Sequence, residues 1–470
     1  MKKNPRQKVK RRTIIAGIGI FILILIVFVG VWQIDKVKEF LSKATGQSAN
    51  FIIDTQRIQG SMPRPWRNLA QGGESENWRL QPLSNQIKAL NTEYVRIDHI
   101  YDFYDIVQGN PGNLSFDFSQ FDVILNDIKA AGATPYIALS YMPPAISAGD
   151  IVEKPHNWTD WQLVVQKTIE HVSGTRGFTN VYYEVWNEPD LFGGWKYYGS
   201  KNYLTMYSYA AIGANQARGV RNFYLGGPGI TALYRNWFHA LAKHALNNNL
   251  KLDFISWHRY SHNIEQYEKD LLEARAWLAR YPELNNVELH ITEWGPDSEN
   301  HPAYDNNYGA AHTVAGAITM TGAADKIFSF EIQDGKNANG EKYWGRWGLF
   351  THNDTGASAK PRYYALSLLD RIGTQWLPLT GQGSWVKGLA ARKSTNVLNV
   401  VLVNCDPYGS HAENVPLTFQ NVTPGTYQFN LQYLGGVQQQ QQLVSNRNVL
   451  QTSVPMQANT VMYGELRRIN

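Results

Sequence analysis

The chain has 470 residues, 43% of them hydrophobic and 18% charged, which permits a sizeable core and excludes wholesale disorder. Seven of its 44 basic residues fall within residues 1–12, where there is no acid, leaving 37 bases against 39 acids in the other 458. The formal charge of +5 therefore belongs to the tail, and nothing argues for nucleic-acid binding by the rest.

Residues 1–12 are predicted as a basic cytoplasmic tail. Residues 13–32, TIIAGIGIFILILIVFVGVW, contain no charge. A helix of that length spans roughly 30 Å, the thickness of the hydrocarbon core. The run exceeds the usual apolar region of a cleavable signal, about 7–15 residues, and no small-residue cleavage site follows Val31. An uncleaved transmembrane helix is expected. The bases before it and the balanced Asp35, Lys36, Lys38 and Glu39 after it place the tail inside and the remainder outside, as a single-pass cell-membrane protein. Residues 33–55 form a polar tether, whose end, NFIIDTQRI, suggests a strand that joins a later module.

From residue 56 short β-branched and aromatic runs alternate with helix-length segments. The runs are a weak one near Trp66–Ala70, then YVRID, PYIALS, VYYEVW, FYLG, FISWH, VELHIT and IFSFEI. Between them, Phe121, Ile124, Leu125 and Ile128 repeat with helical spacing, with Ser119 as the expected cap and Gly132 past the end. Trp161, Val164, Val165, Thr168 and Val172 repeat it again before Gly174. Eight such units over residues 56–375 predict an α/β fold, a (β/α)8 TIM barrel. No glycine-rich dinucleotide fingerprint and no P-loop follow any run, so no cofactor is expected.

Residues 376–470 read as an all-β sandwich of short strands and turns. The five glutamines Gln438–Gln442 suggest a hairpin tip or loop. Cys405, in VLNVVLVNC, is the only cysteine, so an intramolecular disulfide and multi-cysteine zinc sites are excluded, and a buried thiol is expected. Most of the 15 Trp, 26 Tyr and 18 Phe must pack cores, but some can form platforms for sugar rings.

The fourth run ends in VYYEVWNEPD and the seventh in ELHITEWGP. Catalytic groups of such barrels sit at the C-terminal ends of strands, and strands four and seven face each other across the mouth. Glu188 and Glu293 can therefore oppose one another over a substrate, as glycoside hydrolysis requires. Asn187 and Pro189 bracket the first acid in a turn expected to aim it inward, and Trp294-Gly295 follows the second. Arg96, inside the second run, needs a carboxylate partner if buried. His258 and His262 are four apart, but a strand end does not bring them together, and no metal site is expected.

WNEP with TEWG resembles the clan A glycoside hydrolases, most closely family 39, which holds β-xylosidases, α-iduronidases and bacterial exopolysaccharide hydrolases. The resemblance implies that Glu188 is the acid/base and Glu293 the nucleophile of a retaining enzyme, with carboxyls about 5–5.5 Å apart. It also implies that Arg96 supports the nucleophile and that His258 and Tyr260 contact sugar and nucleophile. Asn187, placed to hydrogen-bond a sugar hydroxyl, with Trp294 and Trp347, completes the expected substrate-binding set. Arg96, His258 and Tyr260 are expected to favour charge on Glu293. Relatives commonly place a tryptophan on strand eight beneath the sugar. Here that strand carries Phe330 and Glu331, so Trp344 and Trp347, in YWGRWG, are expected to supply the stacking. The expected partner is a carbohydrate polymer or oligomer outside the membrane. A catalytically silent polysaccharide-binding barrel and a transglycosylase with the same residues remain alternatives, and the oligomeric state is left open.

Overall fold

The computed structural model describes residues 46–73, 76, 78–336 and 345–470. The expected tail, transmembrane helix, most of the tether and Trp344 lie outside them. Among the described residues no helix is long and apolar enough to cross a membrane.

Eight parallel strands close into a barrel: β1 (Asn68–Gln71), β2 (Tyr94–Ile97), β3 (Thr134–Leu139), β4 (Val181–Val185), β5 (Phe223–Ile230), β6 (Phe254–Tyr260), β7 (Glu288–Gly295) and β8 (Lys326–Phe330). The ring shuts where Phe328 of β8 pairs with Asn68 of β1. All eight expected runs are present. Successive side chains point alternately into the lumen and out toward the helices. On β4, Tyr182 and Glu184 face in, while Tyr183 and Val185 join the outer core.

The helix Ser119–Ala130 buries Phe121, Ile124, Leu125 and Ile128. Ser119 is its first residue rather than its cap, because its own N–H is taken by Asp117 Oδ1 at 2.9 Å. The helix Trp158–Ile169 continues into a wider turn, Glu170–Thr175. The helix Asn307–Met320, NYGAAHTVAGAITM, has no charged residue and is buried over nearly its whole circumference, as an all-round apolar composition requires. It lies between the barrel and the second domain.

That domain is a sandwich of two sheets. One orders Leu379–Thr380, Phe51–Asp54, Glu413–Gln420 and Val449–Met456. The other runs from Gln438–Ser445 through Gly425–Tyr433, Thr460–Arg468, Val397–Asn404, Val386–Ser394 and Gln375–Leu377 to Gly60–Ser61. The chain thus enters the sandwich, leaves to build the barrel, and returns. Phe51–Asp54, inside the expected tether, is the strand foreseen in NFIIDTQRI, and it pairs in parallel with Glu413–Gln420. Gly60–Ser61 and Gln375–Leu377, inside the expected barrel segment, pair with each other in the sandwich. The glutamine run corrects a second expectation. Gln438–Gln442 is strand rather than loop, because Gly425–Tyr433 supplies a continuous hydrogen-bonding edge from Gln432↔Gln438 to Gly425↔Ser445. Cys405 is buried, and burial pushes its thiol well above the ordinary range.

Candidate active site

The lumen at the C-terminal end of the barrel is built around Arg96. Its Nη1 donates to Glu293 Oε1 at 2.9 Å, its Nε to Glu184 Oε2 at 2.9 Å, and its Nη2 to Asn187 Oδ1 at 2.8 Å. Thr292 Oγ1 donates to the other oxygen of Glu184 at 2.9 Å. Burial alone would lower the Arg96 pKa, but Glu184 and Glu293 outweigh it and hold the guanidinium charged. Burial likewise opposes charge on Glu184, yet Arg96 and His258 keep its carboxyl below the ordinary value.

Glu293 enters the lumen through an irregularity of β7. Trp257 of β6 pairs with Ile291, but His258 pairs with Glu293, so Thr292 is an extra residue in the ladder. A bulge re-aims the side chains that follow it. Leu289 and Ile291 pack outward and His290 faces inward. Simple alternation would then send Thr292 inward and Glu293 outward. The bulge turns Glu293 inward as well, and sends Trp294 outward. Trp294 is 1% exposed, packs edge-on against Tyr267 and leans on His312. It therefore does not line the cleft, which corrects its expected place among the substrate-binding residues.

Glu188 is aimed by the turn after β4. Trp186 and Glu188 both take positive φ, 76° and 45°, a conformation uncommon for residues with a side chain. The Glu188 N–H donates to Gly229 O at 2.9 Å, and its carbonyl accepts from Phe192 N at 2.8 Å, which fixes the turn. Trp186 itself is fully buried against Tyr141 and Trp195.

His258 stands between the two acids, with Nδ1 2.8 Å from Glu188 Oε1 and 3.4 Å from Glu293 Oε2. Tyr260 donates its hydroxyl to Glu293 Oε2 at 2.9 Å. An oxygen from each acid and a ring nitrogen of His258 lie within 4.8 Å of one another. These three could offer ligands to a cation. The Arg96 guanidinium already meets the charge of Glu293, so the set reads as two opposed acids with a shared histidine. Burial pushes the Glu293 carboxyl up to about 7; Glu188 and Asp98 push the same way, while His258 and Arg96 oppose them. The expectation that Arg96, His258 and Tyr260 would favour charge on Glu293 thus meets a larger opposing effect, the removal of most water from a carboxyl that reaches the cleft by only a small part of its surface.

The two acids line a cleft of about 550 Å³. Asn187 borders it, but its amide is already engaged by Arg96 and by the Tyr141 hydroxyl at 3.0 Å. Trp347 lines it too, edge-on to Phe330 at 5.9 Å, with Tyr260 on the other side of Phe330 at 6.2 Å. Arg96 and His258 are fully buried behind the lining. Sequence reasoning missed Glu184, Thr292, Tyr141 and Asp98. Alternation was the available signal for Asp98 and Glu184, since each falls two residues from an inward-facing neighbour.

An eight-stranded barrel with opposed carboxyls at the ends of β4 and β7 defines the class. The chain belongs to the glycosyl hydrolases family 39, whose family model matches residues 52–403. A β-xylosidase of Caldicellulosiruptor saccharolyticus is 26% identical over 326 residues, covering 63% of this chain and 65% of that protein. A β-xylosidase of Geobacillus stearothermophilus is 23% identical over 301 residues, covering 57% of this chain and 58% of that protein. The chain thus spans less than two thirds of the length of these relatives. Among solved structures, the fold resembles a monomeric β-xylosidase from Caulobacter crescentus CB15, with a TM-score of 0.73 and 19% identity, over 90% of this chain and 100% of that one. It also resembles a family 39 enzyme from Xanthomonas axonopodis pv. citri, with a TM-score of 0.73 and 17% identity, over 90% and 98%.

Proposed function

We propose that the protein is a retaining glycoside hydrolase that cleaves O-glycosidic bonds of an extracytoplasmic oligo- or polysaccharide by double displacement. The observation that carries this reading is the pair Glu188 and Glu293, with oxygens within 4.8 Å of each other across one cleft. Retaining enzymes need about 5–5.5 Å between carboxyls, whereas inverting enzymes leave about 6.5–9.5 Å for a water.

Glu293 attacks the anomeric carbon while Glu188 protonates the departing oxygen. The product of this first step is a glycosyl ester on Glu293. Glu188, now a carboxylate, takes a proton from water, whose oxygen attacks the same carbon and frees Glu293. Arg96 and Tyr260 hold one oxygen each of Glu293, which fixes the attacking lone pair. The named activity of the two relatives makes a β-xyloside the first substrate to try. Residues 1–32, with seven bases ahead of an uncharged twenty-residue run, support a membrane anchor with the barrel outside.

Leaving-group dependence tests the assignment. Glu188→Gln is expected to slow aryl xylosides with poor leaving groups far more than those with good ones, because acid help matters less when departure is easy. Azide is expected to rescue Glu188→Ala as a glycosyl azide of retained configuration. An inverted product would contradict the mechanism.

A further inference from the structure

Asp98 follows Arg96 by two positions, one residue past the end of β2, and both side chains lie on the lumen side. Arg96 lies deep, among Glu184, Glu293 and Asn187. Asp98 stands one layer nearer the mouth and lines the cleft beside Glu188 and Glu293. It is 7% exposed, yet its Oδ1 is buried and accepts no hydrogen bond among the described residues. The other inward carboxylates are served: Glu184 by Arg96 and Thr292, Glu293 by Arg96 and Tyr260. Buried acceptors are rarely left in this state, and a specific exception calls for a reason. Burial raises the Asp98 carboxyl above its ordinary value against the pull of His99 and Arg96. Among the described residues Asp98 caps no helix and makes no ion pair within 4 Å, so they give it no task of their own.

We infer that Asp98 is the acceptor for hydrogen-bond donors on the sugar ring held in the cleft, and that it sets which ring is cleaved. The inference rests on the hydrolase reading above. It also narrows the substrate class. The described lining carries the carboxylates of Asp98, Glu188, Glu293 and Glu299 and no lysine or arginine. Arg96 spends its donors on protein partners, and His99 is turned to Asp102 at 2.6 Å. A ring bearing hydroxyl or ammonium donors suits this wall. A uronic acid ring would bring a further carboxylate into it without a matching cation.

Asp98→Asn preserves size and removes the charge, and two readouts separate the possibilities. The unfolding midpoint in urea is expected to rise, because a buried, unpartnered acid is replaced by a neutral amide. The kcat/KM for 4-nitrophenyl β-D-xyloside is expected to fall about ten- to hundredfold, the loss typical of a hydrogen bond to a charged acceptor. Wild-type protein is expected to cleave 4-nitrophenyl β-D-glucuronide more slowly than the xyloside, with the ratio narrowed in the variant. A lowered midpoint would mark Asp98 as structural and overturn the inference, as would a risen midpoint with unchanged kcat/KM. Wild-type protein that cleaves neither glycoside while the variant gains stability would sink the xyloside reading alone, and the gained stability would still support a ligand-facing Asp98.

Discussion

Glu293 reaches the cleft because Thr292 is an extra residue in β7, and the cost of that placement is a carboxyl shut away from water. Burial pushes it up to about 7, from an ordinary value of 4.5. The free protein must ionise Glu293 before it can attack, so activity at low substrate follows the deprotonated fraction. We expect kcat/KM to fall about tenfold per pH unit as the pH drops below about 7. An acid limb centred near 4.5 would show instead that Arg96 and Tyr260 hold the charge against burial. The same bulge explains what could not be read ahead. TEWG announces an acid after a strand, but nothing in those letters says that Glu293 and Thr292 share a face. Trp294 looked equally available beside it. Alternation was there to be read around β2, where Asp98 follows Arg96 by two positions, but only Arg96 was singled out from it.

The helix Asn307–Met320 joins the barrel to the sandwich and bears on the site through Trp294. A Cβ placed on Gly316 would lie 2.6 Å from Trp294 Cζ3. Gly→Ala inside an exposed helix is ordinarily stabilising by about 0.5–1 kcal/mol. Here the sign should reverse, because Trp294 is held by Tyr267 and His312 and adjoins Glu293. Gly316→Ala is expected to destabilise by about 1–3 kcal/mol, as overpacked cores do. Urea unfolding checks it, and a raised midpoint would mean the indole can move aside. Elements with their own signal were legible: β-branched runs and the helical spacing over residues 121–128 and 161–172. Gln438–Ser445 was not, since its partner strand, not its composition, makes it a strand. Phe51–Asp54 was legible for the opposite reason, because FII is a short aromatic and β-branched run; in the structure its residues alternate between buried and more exposed.

At the scale of the whole molecule, the fold accounts for a catalytic domain and its companion, while the proposed placement outside the membrane rests on residues 1–32 alone. Protease added to spheroplasts is expected to digest the barrel and spare the tail. The reverse pattern would place the barrel in the cytoplasm. Protein lacking residues 1–33 is expected to remain soluble and to keep the wild-type kcat/KM, since every strand of both domains lies beyond that point. The domain boundary was the least legible feature at this scale. Composition changes after Gly373, but no change marks Gly60–Ser61, where a two-residue strand pairs with Gln375–Leu377 across the base of the barrel.

The parallel pairing of Phe51 with Leu417 also sets a clock. A ribosome that adds about 5–20 residues per second delivers the second strand roughly 20–70 seconds after the first. For most of that interval Phe51 and Ile53, both fully buried at the end, have no partner, and then only the two-residue strand Leu379–Thr380 on one edge. The last barrel helix, Pro361–Asp370, is made before Glu413–Gln420, so the barrel can form with an unfinished apolar edge tethered beside it. Such an edge invites pairing with another nascent chain. The order of synthesis therefore leaves the second edge of the earliest strand open until Glu413–Gln420 is made, and a chain arrested before residue 413 would never cover it.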